Sequence, residues 1–246
     1  DGMAGVRKGC AGVASGLGGG GGGRALAAVR AGRFGYERRS TPAILAARGE
    51  REFVEFILSG QPEPPLYFAR MKRDNKAGPR VLGELPRPER LSAAALLELD
   101  TRRVALIDTR PWDAFRVGHV PGALCVPLSR SFNTDAGSFV GEAEDIYLVV
   151  EPARLDEAVR DLVRIGLDRI VGWSDAVEIG RLDHARLATL DEVDVVGAQR
   201  MLAGGARVLD VRRAVEFVEG HISGARNIAH TRLAGRLDEV PREGPL

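Results

Sequence analysis

One stretch of this chain is written twice. Residues 104–128, VALIDTRPWDAFRVGHVPGALCVPL, have an echo at residues 208–230, VLDVRRAVEFVEGHISGARNIAH. Without a gap, Asp108 aligns with Asp210, Arg110 with Arg212, Phe115 with Phe217, Gly118 with Gly220, His119 with His221, Gly122 with Gly224 and Ala123 with Ala225. The offset is 102 residues throughout. A period of that size argues for duplicated domains and against a solenoid of small repeats.

Each copy can be read locally. Val104 to Ile107 is a β-branched and aliphatic run closed by Asp108, as expected of a buried parallel strand whose polar end emerges in a loop. Trp112, Phe115 and Val117 suit a short amphipathic helix before Gly118-His119. Pro121-Gly122 is turn chemistry, with Pro fixing φ and Gly tolerating a positive one. Ala123 to Leu128 is apolar enough for a second strand. The unit is strand, short helix, tight turn, strand.

With these residues in place, the D-x-R at Asp108-Arg110 followed by F-x-x-G-H-x-P-G-A at Phe115–Ala123 resembles the first half of a rhodanese domain. Asp210-Arg212 with Phe217–Ala225 resembles it again. The resemblance implies an α/β fold, a parallel sheet flanked by helices. It also implies sulfurtransferase chemistry on one cysteine, carried as a persulfide in a C-x-x-G-x-R loop between a later strand and a helix. Such a loop suits an anionic sulfur, because consecutive N–H groups and the helix N-terminus lower the thiol pKa.

The first copy departs from that pattern where the chemistry should be. Ile146 to Val150 reads as a strand, Ala158, Leu162 and Ile165 as a helix face, and Ile170-Val171 as the next strand. The intervening loop is Glu151-Pro152-Ala153-Arg154-Leu155-Asp156, with neither Cys nor Gly and with acidic groups near the helix start. A carboxylate there occupies the dipole that would otherwise favour a persulfide anion. The expectation is a rhodanese shell without its nucleophile, and no catalytic residue is assigned. In the second copy the equivalent strand would begin at position 248, so that copy is expected to be truncated before its active-site loop.

Upstream, Arg24 to Pro79 resembles the C-terminal end of the metallo-β-lactamase-fold domain of persulfide dioxygenases and related hydroxyacylglutathione-hydrolase-like proteins, some of which are fused to rhodanese domains. Tyr36-Glu37-Arg38-Arg39, Pro42-Ala43 and Tyr67-Phe68-Ala69-Arg70-Met71-Lys72 carry the likeness, with Thr41 where an Asn is usual. In such proteins an iron or zinc is held by an H-x-H-x-D-H segment and further His and Asp ligands. This chain has no His before His119, so no metal site and no cofactor are expected in it. Within this region Phe53, Phe56 and Ile57 share one helical face, and Gly60 stands where a cap would be.

The organisation expected is a Gly-rich segment over residues 1–23, a helical remnant of the metallo-β-lactamase fold over 24–80, and a linker over 81–89. A first rhodanese-like domain over 90–180 and a second over 188–246 follow. Gly16–Gly23 offers no side chains to a core, and it lacks the flanking strand and Lys-Ser/Thr of a phosphate loop. With 35 basic and 34 acidic residues the net charge is +1, which carries no nucleic-acid signature. No run reaches the roughly 20 apolar residues of a membrane span. Only Cys10 and Cys125 are present, so a disulfide framework is not expected and the cytoplasm is the expected compartment. The chain opens on Asp1, without an initiator Met or a signal pattern, and is expected to be a fragment.

Among the remaining candidates, Cys125 in GALCVPL is expected to be a small buried hydrophobe, its counterpart being Asn227, and Cys10 has no activating neighbours. His119 and His221 are expected to stabilise turns, because a metal would need more ligands at workable spacing. Asp108, Arg110, Asp210 and Arg212 are expected to be loop anchors, and Gly118, Gly122, Gly220 and Gly224 turn residues. Trp112 and Trp173 are expected to be partly buried, while His184 and His230 belong to no constellation. By the resemblance, a full-length relative would act on small sulfur donors and acceptors such as thiosulfate or glutathione persulfide. A non-catalytic docking or scaffold module is the alternative.

Overall fold

The computed structural model describes residues 49–58 and 64–241. Cys10, the glycine tract, Tyr36–Arg39, Pro42-Ala43 and Gly60 lie outside them. The chain divides into two compact units between Glu63 and Pro64. In the first unit the described residues form helix α1 (Glu50–Leu58), with Glu50 and Glu52 in its first turn, where carboxylates complement the helix dipole. Phe53, Phe56 and Ile57 are half-buried on one side, and Arg51 pairs with Glu55 across one turn at 3.3 Å.

The second unit opens with α2 (Tyr67–Ala77) and is built on a five-stranded parallel sheet. Its strands are β1 (Glu89–Arg90), β2 (Ala105–Asp108), β3 (Leu124–Cys125), β4 (Ile146–Val150) and β5 (Ile170–Asp175), in the order β1-β5-β4-β2-β3. The central strands are apolar on both faces, as parallel strands covered by helices must be. Alternation sorts their side chains into two cores. Ala105, Ile107, Ile146, Leu148 and Val150 join α5 (Phe132–Phe139) and α6 (Leu155–Arg164) through Phe132, Ala136, Ala158 and Leu162. Leu106 and Val149 face the opposite layer, with Leu96 of α3 (Ala93–Leu96) and Ile179 of α7 (Ala176–Ile179). Ile107, Leu148, Leu162 and Ile179 are fully buried, each contributing about 1.5–3 kcal/mol.

Local chemistry sets the element ends. Ser92 caps α3 by accepting from Ala95 N, and Asp175 caps α7 by accepting from Val177 N. The run expected as a strand over 123–128 pairs only at Leu124–Cys125. Val126 N and Leu128 N still donate to Asp108 O and Thr109 O, but Pro127 between them has no N–H to offer. Glu89–Arg90, at the edge of the expected linker, instead forms the edge strand β1 beside Gly172 and Trp173. Helix α2 packs its Tyr67 against the larger core, where the ring lies over Gly137, and Arg73 reaches Glu142 at 2.6 Å.

The second copy holds α8 (Val195–Ala203), β6 (Leu209–Asp210), α9 (Ala214–Glu219), β7 (Arg226–Asn227) and α10 (His230–Leu233). Asp194 caps α8 through Gly197 N at 2.6 Å. β6 pairs β7 in parallel, Leu209 against Arg226 and Asp210 against Asn227, which is the register of Ile107 against Leu124 and Asp108 against Cys125. β2 has a second neighbour in β4; among the described residues β6 has none. The copies meet where α10 packs on α5, with Ile228 and Ala229 buried at the entry to α10 and His230 Nε2 lying 3.5 Å from Asp135.

Candidate functional site

The repeated motif builds one clamp twice. In the first copy, Asp108 ends β2 and Arg110 folds back on it within two residues. Arg110 Nε donates to Asp108 Oδ1 and Oδ2 at 3.0 and 3.1 Å, and Nη2 donates to Oδ2 at 2.6 Å. The same Nη2 donates to the Gly118 carbonyl at 2.8 Å, and the Arg110 amide donates to Asp108 Oδ1 at 3.0 Å. The guanidinium thus ties the strand end to the turn after α4 (Trp112–Val117). His119 stacks on Phe115 with centroids 3.9 Å apart, and its Nδ1 donates to the Phe115 carbonyl at 2.9 Å. Since a carbonyl only accepts, Nδ1 carries the hydrogen. Gly122 takes φ of 80°, the left-handed conformation that the turn requires.

The second copy repeats each contact. Arg212 reaches Asp210 at 2.5 to 3.1 Å and the Gly220 carbonyl at 2.9 Å. His221 stacks on Phe217 at 3.7 Å and donates to its carbonyl at 2.8 Å, and Gly224 has φ of 79°. The bond from Arg212 holds the Asp210 carboxyl below the usual carboxylate range. Asn227 adds contacts that Cys125 does not make, its Nδ2 donating to Asp210 O and Arg212 O at 2.8 Å each.

Beside the first clamp, at the C-terminal ends of β2 and β4, lies a cavity of about 170 Å³. This is where open parallel sheets place their ligand sites. Its walls include Thr109, Arg110, Leu128, Glu151, Arg154 and Ala176. The loop after β4 is a short 3₁₀ turn, Pro152–Arg154, running into α6. Arg154 holds it shut, donating to both Glu157 carboxylate oxygens at 2.9 and 2.8 Å and to the Leu128 carbonyl at 3.0 Å. That pairing pushes the Arg154 pKa up and the Glu157 pKa down. The only hydroxyl in the lining, on Thr109, donates to Val149 O at 2.8 Å. The cavity can hold a small solute, but its lining has no thiol to bond sulfur.

Cys125 stands on β3 opposite Asp108 and is not among the lining residues. Burial, and next the Asp108 carboxylate, push its thiol up to about 11, against a smaller opposing effect of Arg110. At neutral pH it is a thiol, not a nucleophilic thiolate. The tryptophans differ in setting. Trp173 is buried, with the Arg90 guanidinium 5.4 Å from its ring, whereas Trp112 is 42 % exposed and donates from Nε1 to Glu192 at 3.2 Å. His184 opens a short 3₁₀ turn near Gly118, which Asp183 caps by accepting from Ala185 N. No group of three or more His, Cys, Asp and Glu residues gathers among the described residues as a metal site would require. No helix among them is long and apolar enough to cross a membrane.

Known proteins resemble parts of this chain. The family model described as "Rhodanese-like domain" matches residues 92–159 and 196–244. This chain carries rhodanese-like domains in tandem. Among solved structures, a metallo-beta-lactamase from Staphylococcus aureus subsp. aureus COL is similar at 26% identity and a TM-score of 0.51, over 61% of this chain and 41% of that one. A thiosulfate sulfurtransferase from Pseudomonas aeruginosa is similar at 16% identity and a TM-score of 0.31, over 71% of this chain and 38% of that one. The anaerobic ergothioneine biosynthesis enzyme from Chlorobium limicola gives 17% identity and a TM-score of 0.35, over 58% of this chain and 41% of that one. The chain thus spans about two fifths of the length of these structures. A search of curated proteins finds no match. The link is to rhodanese and sulfurtransferase-related sequences at the level of the family, with a distant similarity to a metallo-β-lactamase-fold protein.

Proposed function

We propose that the first rhodanese-like domain is a non-catalytic member of a tandem pair, in a protein of persulfide and thiosulfate sulfur-transfer metabolism. The observation that carries this reading is the loop after β4: Glu151 to Asp156 holds no cysteine, and Arg154 ties it to Glu157 and Leu128 O. A rhodanese-type transfer needs a thiolate cradled by loop amides at a helix start, and this loop offers carboxylates there instead. A cysteine that carries sulfur would belong in the equivalent loop of the second domain. Small sulfur donors and acceptors, thiosulfate and glutathione persulfide among them, are the substrates of the whole protein. The sparse cysteine content favours the reducing cytoplasm.

A second reading, a docking or scaffold module, is favoured by the same closed loop, since a domain without turnover can be kept for what it binds. The test is transfer of sulfur from thiosulfate to cyanide by the 246-residue chain. Thiocyanate formation is expected at the level of a Cys10→Ser/Cys125→Ser double variant. Turnover lost on Cys125→Ser alone would overturn the assignment.

A further inference from the structure

The cavity at the strand ends of the first domain lacks a thiol but keeps a charge. Glu151 is the first residue after β4, the place that the C-x-x-G-x-R pattern gives to the sulfur-carrying cysteine. A carboxylate therefore joins the lining at the position where a rhodanese carries its persulfide.

The two cations of the lining are already matched. Arg110 is held by Asp108 at 2.6 Å and donates to the Gly118 carbonyl, while Arg154 is held by Glu157 at 2.8 Å and donates to the Leu128 carbonyl. Glu151 is exposed, and among the described residues its side chain makes no hydrogen bond or ion pair. Each guanidinium thus has a carboxylate of its own, and Glu151 leaves one negative charge in excess. Asp156, in the adjacent first turn of α6, has the same sign. Between low-dielectric walls such an excess selects the sign of what enters.

The rest of the lining is apolar, formed by Pro111, Pro127, Leu128, Val150 and Ala176. At Thr109 the hydroxyl hydrogen goes to Val149 O, which leaves its oxygen only lone pairs to offer. Glu151 and Thr109 therefore both present acceptors. The volume of about 170 Å³ equals that of about five or six waters, room for a molecule of as many non-hydrogen atoms.

We propose that this cavity binds a small aliphatic primary ammonium, its alkyl body against Pro127, Leu128 and Val150 and its N–H groups donating to Glu151 and Thr109 Oγ. The assignment rests on the reading of the first domain as non-catalytic. It adds that this domain turns away the anionic sulfur donors of the whole protein and serves a ligand of opposite charge. A free amine and a lysine side chain of another polypeptide share this chemistry.

The test is a charge series of one shape: n-butylammonium, 1-butanol and butyrate, titrated into the whole chain at neutral pH and followed by amide NMR. Shifts centred on Thr109, Val150 and Glu151 are expected with n-butylammonium, at an affinity roughly tenfold above that of 1-butanol, as one charge-assisted hydrogen bond provides. Butyrate and thiosulfate should give none. Glu151→Gln should remove the advantage of the ammonium and leave the melting temperature unchanged, and Glu151→Lys should reverse the series in favour of butyrate. The peptide Gly-Lys-Gly distinguishes the sources: tighter binding than n-butylammonium points to a lysine of another chain, weaker binding to a free amine. Equal binding of 1-butanol and n-butylammonium, preference for an anion, no saturable shift, or shifts unchanged by Glu151→Gln would overturn the proposal. None of these outcomes touches the thiocyanate assay, which reads a thiol where this one reads a carboxylate.

Discussion

The two clamps share their letters and their hydrogen bonds and differ in almost everything around them. Phe115 and His119 are buried, at 3 % and 6 % exposure, while Phe217 is half-buried and His221 exposed. Arg110 lies largely out of solvent, whereas Arg212 is 49 % exposed. The motif therefore needs little beyond itself to take its shape. Every contact within it joins residues ten or fewer apart, and an arginine fork, a stacked ring and one left-handed glycine close it. Burial is supplied from elsewhere, by β4, β5 and the segment at 187–190, none of which has an equivalent around the second clamp among the described residues.

That difference predicts unequal responses to equal substitutions. The largest is expected for the ring. Phe115→Ala should cost about 3–5 kcal/mol of unfolding free energy in urea, by loss of a fully packed aromatic, and Phe217→Ala distinctly less. Equal losses would show that the second clamp is as well covered as the first. Next is the ion pair. Asp108→Asn removes one partner of a buried pair and should cost about 3 kcal/mol, while Asp210→Asn, facing a solvated arginine, should cost less. A double-mutant cycle with the arginines would measure each coupling directly.

A third comparison concerns reactivity. With its thiol pushed up to about 11, Cys125 should be roughly one part in a thousand thiolate at pH 8. In a Cys10→Ser background, alkylation by iodoacetamide should be slow at pH 8 and climb until about pH 11. Cys125 is half-buried, not the fully buried residue expected from the sequence, and a rate already level at pH 8 would contradict the raised thiol pKa. The smallest effect is expected in acid. Arg236 and Arg226 hold Glu239 down to about 2, and Arg212 lowers Asp210. Folded values below the unfolded ones mean that these groups support the second domain above the ordinary carboxylate range and lose that support as pH falls toward 2. Their arginine partners stand partly in solvent and are screened, so the change should be slight, read as faster amide exchange in residues 208–239 than in 105–175 when pH drops from 6 to 3.

Much of the fold was legible in the letters, for physical reasons. The apolar runs at 105–107, 146–150 and 170–171 announce covered parallel strands because both their faces must be buried. The edge strand β1 was not legible, since Glu89-Arg90 is charged and is held only by what it pairs with. Nor was the short reach of β3, where Pro127 breaks a run that hydropathy alone would continue. At the candidate site, the repeat marked Asp108, Arg110, Gly118 and His119, but not the bond from Arg110 to the Gly118 carbonyl or that from Arg154 to the Leu128 carbonyl in the cavity wall. Those depend on where a guanidinium lands after folding.

By itself the sequence settles the duplication, the alternation that makes a two-sided sheet, and the lack of a cysteine between β4 and α6, because each is a matter of residue type and spacing. Tertiary structure alone decides that residues 187–190 pair with the turn at His119, that Cys125 is held as a thiol, and that Leu187 lies against Gly118. Strand pairing and burial join residues tens of positions apart, and only the folded chain brings those partners together.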